Sequence, residues 1–183
     1  HLKIRKYILV GHSLGGYVSL ALAKINPSKI KGLCLMNSTS NEDDVERKKL
    51  RLRANTMIQK NFTNMVRMSF ANLFEPKSKE LYKEALNLAL QEALKTPIQG
   101  YIAANEGMRI RPNRNHILAD NDFKKLLIIG KNDPVLDYET SLKEAAETNS
   151  EVVIFPNGHM SHIENAEELI TALKLFLRNC SSK

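Results

Sequence analysis

The sequence is poor in the residues that stabilise small secreted proteins or build fibres. It contains no tryptophan, two cysteines, eight glycines and six prolines among 183 residues. Two cysteines allow at most one bridge, which excludes a disulfide scaffold, and the modest glycine and proline content excludes a collagen-like or disordered chain. Cys34 lies in an apolar run and Cys180 in a polar tail, so we expect two free thiols. Free thiols fit a reducing compartment, and we expect a cytoplasmic protein.

Long apolar runs are also absent. The longest, such as residues 7–10 and 126–129, are far shorter than the roughly 18 residues that a membrane-spanning helix needs, so we predict no membrane segment. The net charge of +7 would suit a nucleic-acid partner if it were clustered. However, the dense basic stretch at residues 47–53 follows an acidic run and has no interleaved aromatic residues. We therefore expect a solvated helix face there and no nucleic-acid partner.

The apolar pattern predicts an α/β protein with parallel strands. A short apolar run over residues 6–10 predicts a strand, residues 14–25 carry apolar side chains at helical spacing, and residues 30–36 predict a second strand. This order is a βαβ unit, in which the two strands are parallel and the crossover is right-handed. Strand and helix signals alternate again near the carboxyl end. They predict a strand at 125–129, a helix at 138–148, a strand at 151–155 and a helix at 166–178.

A helical insertion separates these two parts of the predicted sheet. Strand signals vanish between residues 41 and 115, and breaks near Asn61, Pro76 and Pro97 divide the stretch. The predicted helices span roughly residues 42–60, 62–72, 78–95 and 97–108. We therefore divide the chain into core residues 1–40, an insertion at 41–114 and core residues 115–183.

A glycine-rich motif lies between the first predicted strand and the first predicted helix. Residues 11–16 read G-H-S-L-G-G, which fits the G-x-S-x-G turn that exposes a nucleophilic serine. A serine on so sharp a turn crowds the positions two residues away, so Gly11 and Gly15 are needed where any Cβ would collide. The hydroxyl of Ser13 then projects from the carboxyl end of the sheet. The amide of Leu14, at the helix start, is placed to stabilise an oxyanion.

A serine nucleophile needs a base and an acid that orients the base, and both follow later predicted strands. Asp133 comes just after the strand at 125–129, and His159 comes just after the strand at 151–155. Because parallel strands end at the same edge of a sheet, we expect Ser13, Asp133 and His159 to meet there.

Each of these assignments has a competitor nearby. His162 is three residues beyond His159 but falls nearer to the next helix, so we favour His159 as the base. Asp137 is placed to cap the helix that starts at residue 138, and Asp122 precedes its strand instead of following it. We therefore favour Asp133 as the acid.

These residues and their order resemble the α/β-hydrolase superfamily, in particular its lid-bearing esterase, peptidase and C–C hydrolase branch. The resemblance covers the chain from Lys6 to about Arg178. It implies that Ser13 is the nucleophile, Asp133 the acid and His159 the general base. It also implies that residues 41–114 form a lid over the active site, and that no metal or organic cofactor takes part.

The sequence departs from the family pattern before the serine. The family places several strands ahead of this turn, and a loop after one of them supplies the second oxyanion amide. We therefore expect the carboxyl-terminal part of an α/β-hydrolase fold, inactive by itself. The strand at residues 6–10 would then be an exposed edge that pairs with a separate amino-terminal segment or with another copy of the chain.

The reaction expected from this pattern is hydrolysis of an ester or similar acyl bond in a small-molecule substrate. Flexible thioethers at Met57, Met108 and Met160, together with His12, are candidates to line the acyl site. Three arginines cluster at the end of the insertion, where one of them is placed to reach a substrate carboxylate or phosphate. They are Arg109, Arg111 and Arg114. A ligand-binding protein on the same fold, an acyltransferase or perhydrolase, and an aminopeptidase remain alternatives.

Overall fold

The structure is a computed structural model that describes residues 4–181. At its centre lies a sheet of four parallel strands, in which neighbours along the chain are also neighbours in the sheet. The strands are β1 (Tyr7–His12), β2 (Ile30–Met36), β3 (Lys124–Gly130) and β4 (Glu151–Phe155). The predicted α/β class with parallel strands is confirmed, and each predicted strand is present.

Helices flank this sheet and fill the long connection between β2 and β3. In chain order they are α1 (Leu14–Ile25), α2 (Val45–Lys60), α3 (Phe62–Ala71), α4 (Ser78–Leu81), α5 (Lys83–Leu94), α6 (Ile98–Ile110), α7 (Asn115–Ala119), α8 (Tyr138–Glu147), α9 (Ser161–Glu164) and α10 (Ala166–Ser181). The one-turn helices α7 and α9 are additions to the predicted pattern. No helix in the described part of the chain combines the length and the hydropathy needed to cross a membrane.

Each face of the sheet has its own apolar core. On one face α1, α7 and α8 bury side chains such as Leu20, Leu33 and Leu127. On the other face α10 packs Phe176 and Cys180 against β2 and β3. Both cysteines are free, as predicted. The expectation of a polar tail at Cys180 is wrong, because α10 continues to residue 181 and buries that thiol against the sheet.

The insertion has a third core of its own. Ile58 of α2, Val66 of α3 and Leu90 of α5 are buried against one another, and side chains of α6 pack around them. Helix α2 contacts α6 and α3 contacts α5. The insertion therefore stabilises itself by local packing.

Polar contacts tie the two ends of the insertion together. The carboxylate of Asp43, only 1% exposed, pairs with Arg51 and, at 2.8 Å, with Nη1 of Arg111. The guanidinium of Arg111 also lies 4.0 Å above the ring of Tyr17 in α1. These contacts join the start and the end of the insertion to each other and to α1.

Strand β1 lies at one edge of the sheet. Among the described residues it pairs with β2 alone. Beside it the outer side of α1 is apolar and exposed, with Val18 at 61% and Ile25 at 72%. We call the exposed apolar side chains of this edge and helix side the β1–α1 surface; it comprises Val10, Leu14, Val18, Leu22 and Ile25.

Candidate active site

Ser13 lies on a sharp turn between β1 and α1. Its φ of 50° is in the left-handed region, which costs a residue other than glycine about 1–3 kcal/mol. A Cβ on Gly11 would lie 2.4 Å from the carbonyl oxygen of Gly15, so the turn needs glycine at position 11. The predicted collision at Gly15 is wrong, because a Cβ there would meet open space in the described structure. The second crowded position is Gly16, where a Cβ would lie 2.2 Å from Ser38 Oγ.

Hydrogen bonds hold the serine backbone in this conformation. The amide of Ser13 donates to the carbonyl of Met36 at 3.0 Å, and its own carbonyl accepts from Gly16 N at 2.9 Å and Ser38 Oγ at 2.8 Å. Leu14 occupies the first position of α1, where backbone N–H groups have no partner within the helix. The hydroxyl of Ser13 is thereby held at the carboxyl edge of the sheet, next to the first residue of α1.

The structure brings Ser13, His159 and Asp133 together. His159 Nε2 lies 2.9 Å from Ser13 Oγ, and His159 Nδ1 lies 2.8 Å from Asp133 Oδ2. The side chains of His159 and Asp133 are each only 2% exposed. Because the carboxylate accepts, the proton belongs on Nδ1, which leaves Nε2 free to accept the serine hydroxyl proton.

The carboxylate of Asp133 is held from both sides. Its Oδ1 accepts from the amides of Val135 at 2.7 Å and Leu136 at 3.1 Å, and its Oδ2 accepts from His159 and from Asn37 Nδ2 at 3.1 Å. Burial raises the pKa of Asp133, but the bond and charge of His159 and the two backbone amides outweigh burial. The pKa therefore lies below its usual value, and the group is a carboxylate at neutral pH.

Comparison with known proteins identifies the family and the fold. A family model described as the alpha/beta hydrolase fold matches residues 1–166. This chain belongs to the α/β-hydrolase family.

Two solved structures illustrate how far the likeness extends. A thermophilic esterase from Thermogutta terrifontis is 26% identical with a TM-score of 0.88, and the match covers 96% of this chain and 65% of that one. An enol-lactonase from Burkholderia xenovorans LB400 is 19% identical with a TM-score of 0.86, over 97% of this chain and 67% of that one. This α/β-hydrolase chain thus spans about two thirds of their length.

A curated relative is longer still. The dihydrolipoyllysine-residue acetyltransferase component of the acetoin cleaving system of Pseudomonas putida is 25% identical over 183 residues. The match covers 97% of this chain and 47% of that protein. The α/β-hydrolase chain therefore corresponds to about half of this relative.

Three other titratable residues of this α/β-hydrolase, His12, His162 and Asp137, lie near Ser13, His159 and Asp133 and make contacts of their own. His12 Nε2 lies 2.8 Å from the carbonyl oxygen of His159, so it carries the proton and donates to it. His162, on the exposed side of α9, lies with its ring 4.9 Å from that of His12. Asp137 caps α8 by accepting from the amide of Thr140 at 2.8 Å, as predicted.

One of the predicted lining residues, Met108, lies in the wall of an apolar cavity of about 510 Å³ between α1 and α6, together with Leu14. His12, also predicted to line the acyl site, is not among the residues that line this cavity. Met57 lies on the surface of α2 with 54% exposure, and Met160 is buried with 5% exposure. Neither of these two methionines is among the residues that line this cavity.

The three arginines at the end of the insertion have different partners. Arg109 pairs with Glu106, with Nε at 2.7 Å from Oε2, and Arg111 pairs with buried Asp43. Arg114 lines the same cavity as Leu14, and in the described residues its Nε is buried without a hydrogen-bond partner. Of the three, only Arg114 has a buried side-chain nitrogen without a hydrogen-bond partner among the described residues.

Sequence reasoning missed one buried polar residue beside the site. Asn37 follows β2 directly and contacts Asp133. The sequence could have indicated Asn37, because this residue directly follows β2. Strand β2 lies between β1, which leads to Ser13, and β3, which leads to Asp133. A polar residue at that place joins the same edge of the sheet.

Proposed function

We propose that this chain carries the catalytic residues of a serine hydrolase that cleaves an ester or similar acyl bond through an acyl-enzyme. The observation that carries the proposal is the hydrogen-bonded series from Ser13 Oγ through His159 to Asp133, with distances of 2.9 and 2.8 Å. In this series a neutral imidazole faces the hydroxyl and a buried carboxylate faces the imidazole. This arrangement is suited to general-base activation of a serine.

The chemistry follows from the positions of the atoms. Ser13 Oγ attacks the acyl carbon while His159 Nε2 takes the hydroxyl proton, and Asp133 stabilises the resulting imidazolium. The amide of Leu14 stabilises the oxyanion. His159 then gives its proton to the departing alcohol, which leaves an ester on Ser13. Water attacks this ester with the same base, and the carboxylic acid leaves as Ser13 regains its proton.

We infer the substrate class from an apolar cavity between α1 and α6, whose lining residues do not include Ser13, His159 or Asp133. Its wall includes Leu14, which adjoins Ser13, and Met108 of the insertion. An apolar cavity of this size fits the apolar part of a small acyl ester. In this proposal the insertion acts as a lid, because α6 supplies the side of the cavity opposite α1.

Labelling with a fluorophosphonate probe tests the proposal. We expect the probe to modify Ser13 in the protein that includes any natural sequence preceding residue 1, and we expect no labelling of Ser13→Ala. Ser13→Ala and His159→Ala should each lower kcat for an uncharged p-nitrophenyl ester by about 10⁴- to 10⁶-fold, and the double variant by little more. The control His162→Ala should retain most activity. Labelling that survives in Ser13→Ala would refute the proposal.

Acyl transfer is a second candidate. The observation that favours it is the 25% identity to a protein named as an acetyltransferase component. The acyl-enzyme would then pass its acyl group to an alcohol or thiol in place of water. Product analysis with and without an added acceptor distinguishes the two. Transfer is supported if, with the acceptor present at millimolar concentration, more acylated acceptor than free acid is formed. Hydrolysis is supported if the free acid is the main product.

A further inference from the structure

We propose that Asn37 is a positioning residue that holds the acid and the base-bearing loop in one geometry. The inference rests on the proposed function, since it assigns Asn37 to the series formed by Ser13, His159 and Asp133. Asn37 does not touch the serine; it acts through Asp133 and through Gly158, the residue before His159.

Every polar atom of the Asn37 side chain has a partner. Its Nδ2 donates to Asp133 Oδ2 and to the carbonyl of Gly158, both at 3.1 Å, and its Oδ1 accepts from Ser161 Oγ at 2.6 Å. The residue is only 2% exposed. Two acceptors face the nitrogen and one donor faces the oxygen, so only one orientation of the amide satisfies all three contacts.

The backbone of Asn37 is adapted to this task. Its φ is 44°, in the left-handed region that asparagine tolerates better than most residues. Its amide donates to the carbonyl of Ile128 in β3 at 2.9 Å. The side chain is thus directed from the end of β2 across the end of β3 toward the loop after β4. Opposite it, a Cβ on Gly130 would lie 3.1 Å from Asn37 Nδ2 and 2.4 Å from the carbonyl of Gly158.

These contacts restrict the motion that matters for proton transfer. The amides of Val135 and Leu136 hold only Oδ1 of Asp133. Without Asn37, Oδ2 would keep His159 as its one donor among residues 4–181, and the carboxylate could rotate about its Oδ1 contacts. The loop carrying His159 would lose a bond at Gly158 at the same time. We therefore expect a loss in kcat with little change in KM, because substrate contacts are untouched.

Asn37→Gly is the decisive variant, because glycine keeps the positive φ and deletes the amide. Asn149→Gly is the matched control, since Asn149 is exposed, lies after α8 and also has a positive φ of 49°. We expect Asn37→Gly to lower kcat by about ten- to a hundred-fold with KM nearly constant. Asn149→Gly should leave both constants at the wild-type values. Equal kcat in the two variants would overturn the inference.

A double-mutant cycle tests whether Asn37 acts through the acid. In an Asp133→Ala background, Asn37→Gly should cost less in kcat than it does in the wild type, because only its contact with Gly158 remains to be lost. A residue with a merely structural role would cost the same factor in both backgrounds, and that result would contradict the inference.

A spectroscopic readout separates this inference from the proposed function. The proton on His159 Nδ1 should give a low-field NMR resonance in the wild type, which Asp133→Ala abolishes and Asn37→Gly weakens or broadens. An unchanged resonance in Asn37→Gly refutes the positioning role even if the enzyme is active. Absence of fluorophosphonate labelling in the wild type refutes the proposed function even if the resonance responds. Should Asn37→Gly not fold, Ser161→Ala removes the donor that orients the amide and should weaken the resonance in the same way.

Discussion

At the scale of single residues, His12 links the nucleophile turn to the base. Its Nε2 donates to the backbone carbonyl of His159, and its ring lies 5.2 Å from the ring of His159. Burial lowers the pKa of His12 from 6.5 to about 4, although the bond to the His159 carbonyl partly opposes the shift. The imidazole is therefore neutral in the folded protein at pH 7 and is a fixed donor.

The stability of the protein should depend on His12 in mild acid. The folded-state pKa lies below that of the unfolded chain, so the unfolded state binds the proton first as the pH falls from 6.5 towards 4. Stability contributed by neutral His12 is lost in this range, by about 2 kcal/mol between pH 7 and pH 5. Urea unfolding at the two pH values should show that His12→Gln loses less stability on acidification than the wild type. Identical losses would contradict the assignment.

Arg114 should select for charged substrates. Its side chain lines the cavity, where a guanidinium is suited to bind a substrate carboxylate, and its buried Nε has no partner in the described residues. Arg114→Ala should raise KM for an ester that carries a carboxylate by about ten- to a hundred-fold, and leave KM for a neutral ester unchanged. Arg109→Ala is the control, because Arg109 pairs with Glu106. An equal rise for both esters would assign Arg114 a structural role.

At the scale of elements, the insertion is attached through a buried ion pair. Asp43 precedes α2, and its partners Arg51 and Arg111 belong to α2 and to the end of α6. Burial raises the pKa of Asp43, but the bonds and charges of the two arginines outweigh burial and keep the pKa below its usual value. The first and last helices of the insertion are thereby joined at the sheet.

Removal of this carboxylate should destabilise the protein strongly. Asp43→Ala leaves two buried or half-buried guanidinium groups without their partner, which costs about 3 kcal/mol or more. The neighbouring variant Asp44→Ala is the control. It removes only the cap of α2, where Asp44 accepts from Arg47 N at 2.7 Å, and should cost about 1 kcal/mol. Denaturant unfolding measures both, and equal costs would disprove the role of the pair.

The elements that the sequence predicts best are apolar runs with clear ends. Strands β2 and β4 were predicted with the observed bounds, because they are short apolar runs bounded by turn residues. The single-turn helices α7 and α9 were missed, since one turn has no periodicity and is fixed by tertiary contacts. Met57 was predicted to line the acyl site, yet it lies on the surface of α2. Helical spacing does not say which side of an inserted helix faces the core.

At the scale of the whole molecule, the β1–α1 surface is the least complete part. Val10, Val18 and Ile25 are 43%, 61% and 72% exposed beside a strand that is paired on one side in the described residues. An apolar edge of this kind favours pairing with another strand. The chain covers 65% of the Thermogutta esterase, so we propose that sequence preceding residue 1 covers the part of this surface outside the cavity, at Val10, Leu22 and Ile25, and supplies a second oxyanion donor.

The activity of two forms of the protein tests that proposal. We expect residues 1–183 alone to self-associate in size-exclusion chromatography and to hydrolyse a short p-nitrophenyl ester at least about 10²- to 10³-fold more slowly than the form extended upstream. The extended form should be monodisperse. A monomeric chain of residues 1–183 with the full activity of the extended form would rule out this role for upstream sequence.

The two ends of the insertion lie next to each other in the folded protein, which has a consequence for the order in which the protein folds. Gly32 of β2 pairs with Lys124 of β3, so these strands can meet only after the whole insertion has been looped out, which costs chain entropy. Helices that collapse first on Ile58, Val66 and Leu90 would shorten that loop, since Arg114 N then reaches Ser40 O at 2.7 Å. The insertion would then act as a folding nucleus that brings β2 and β3 together. A truncation of the Ile58 side chain should therefore lower the refolding rate by a larger factor than it raises the unfolding rate.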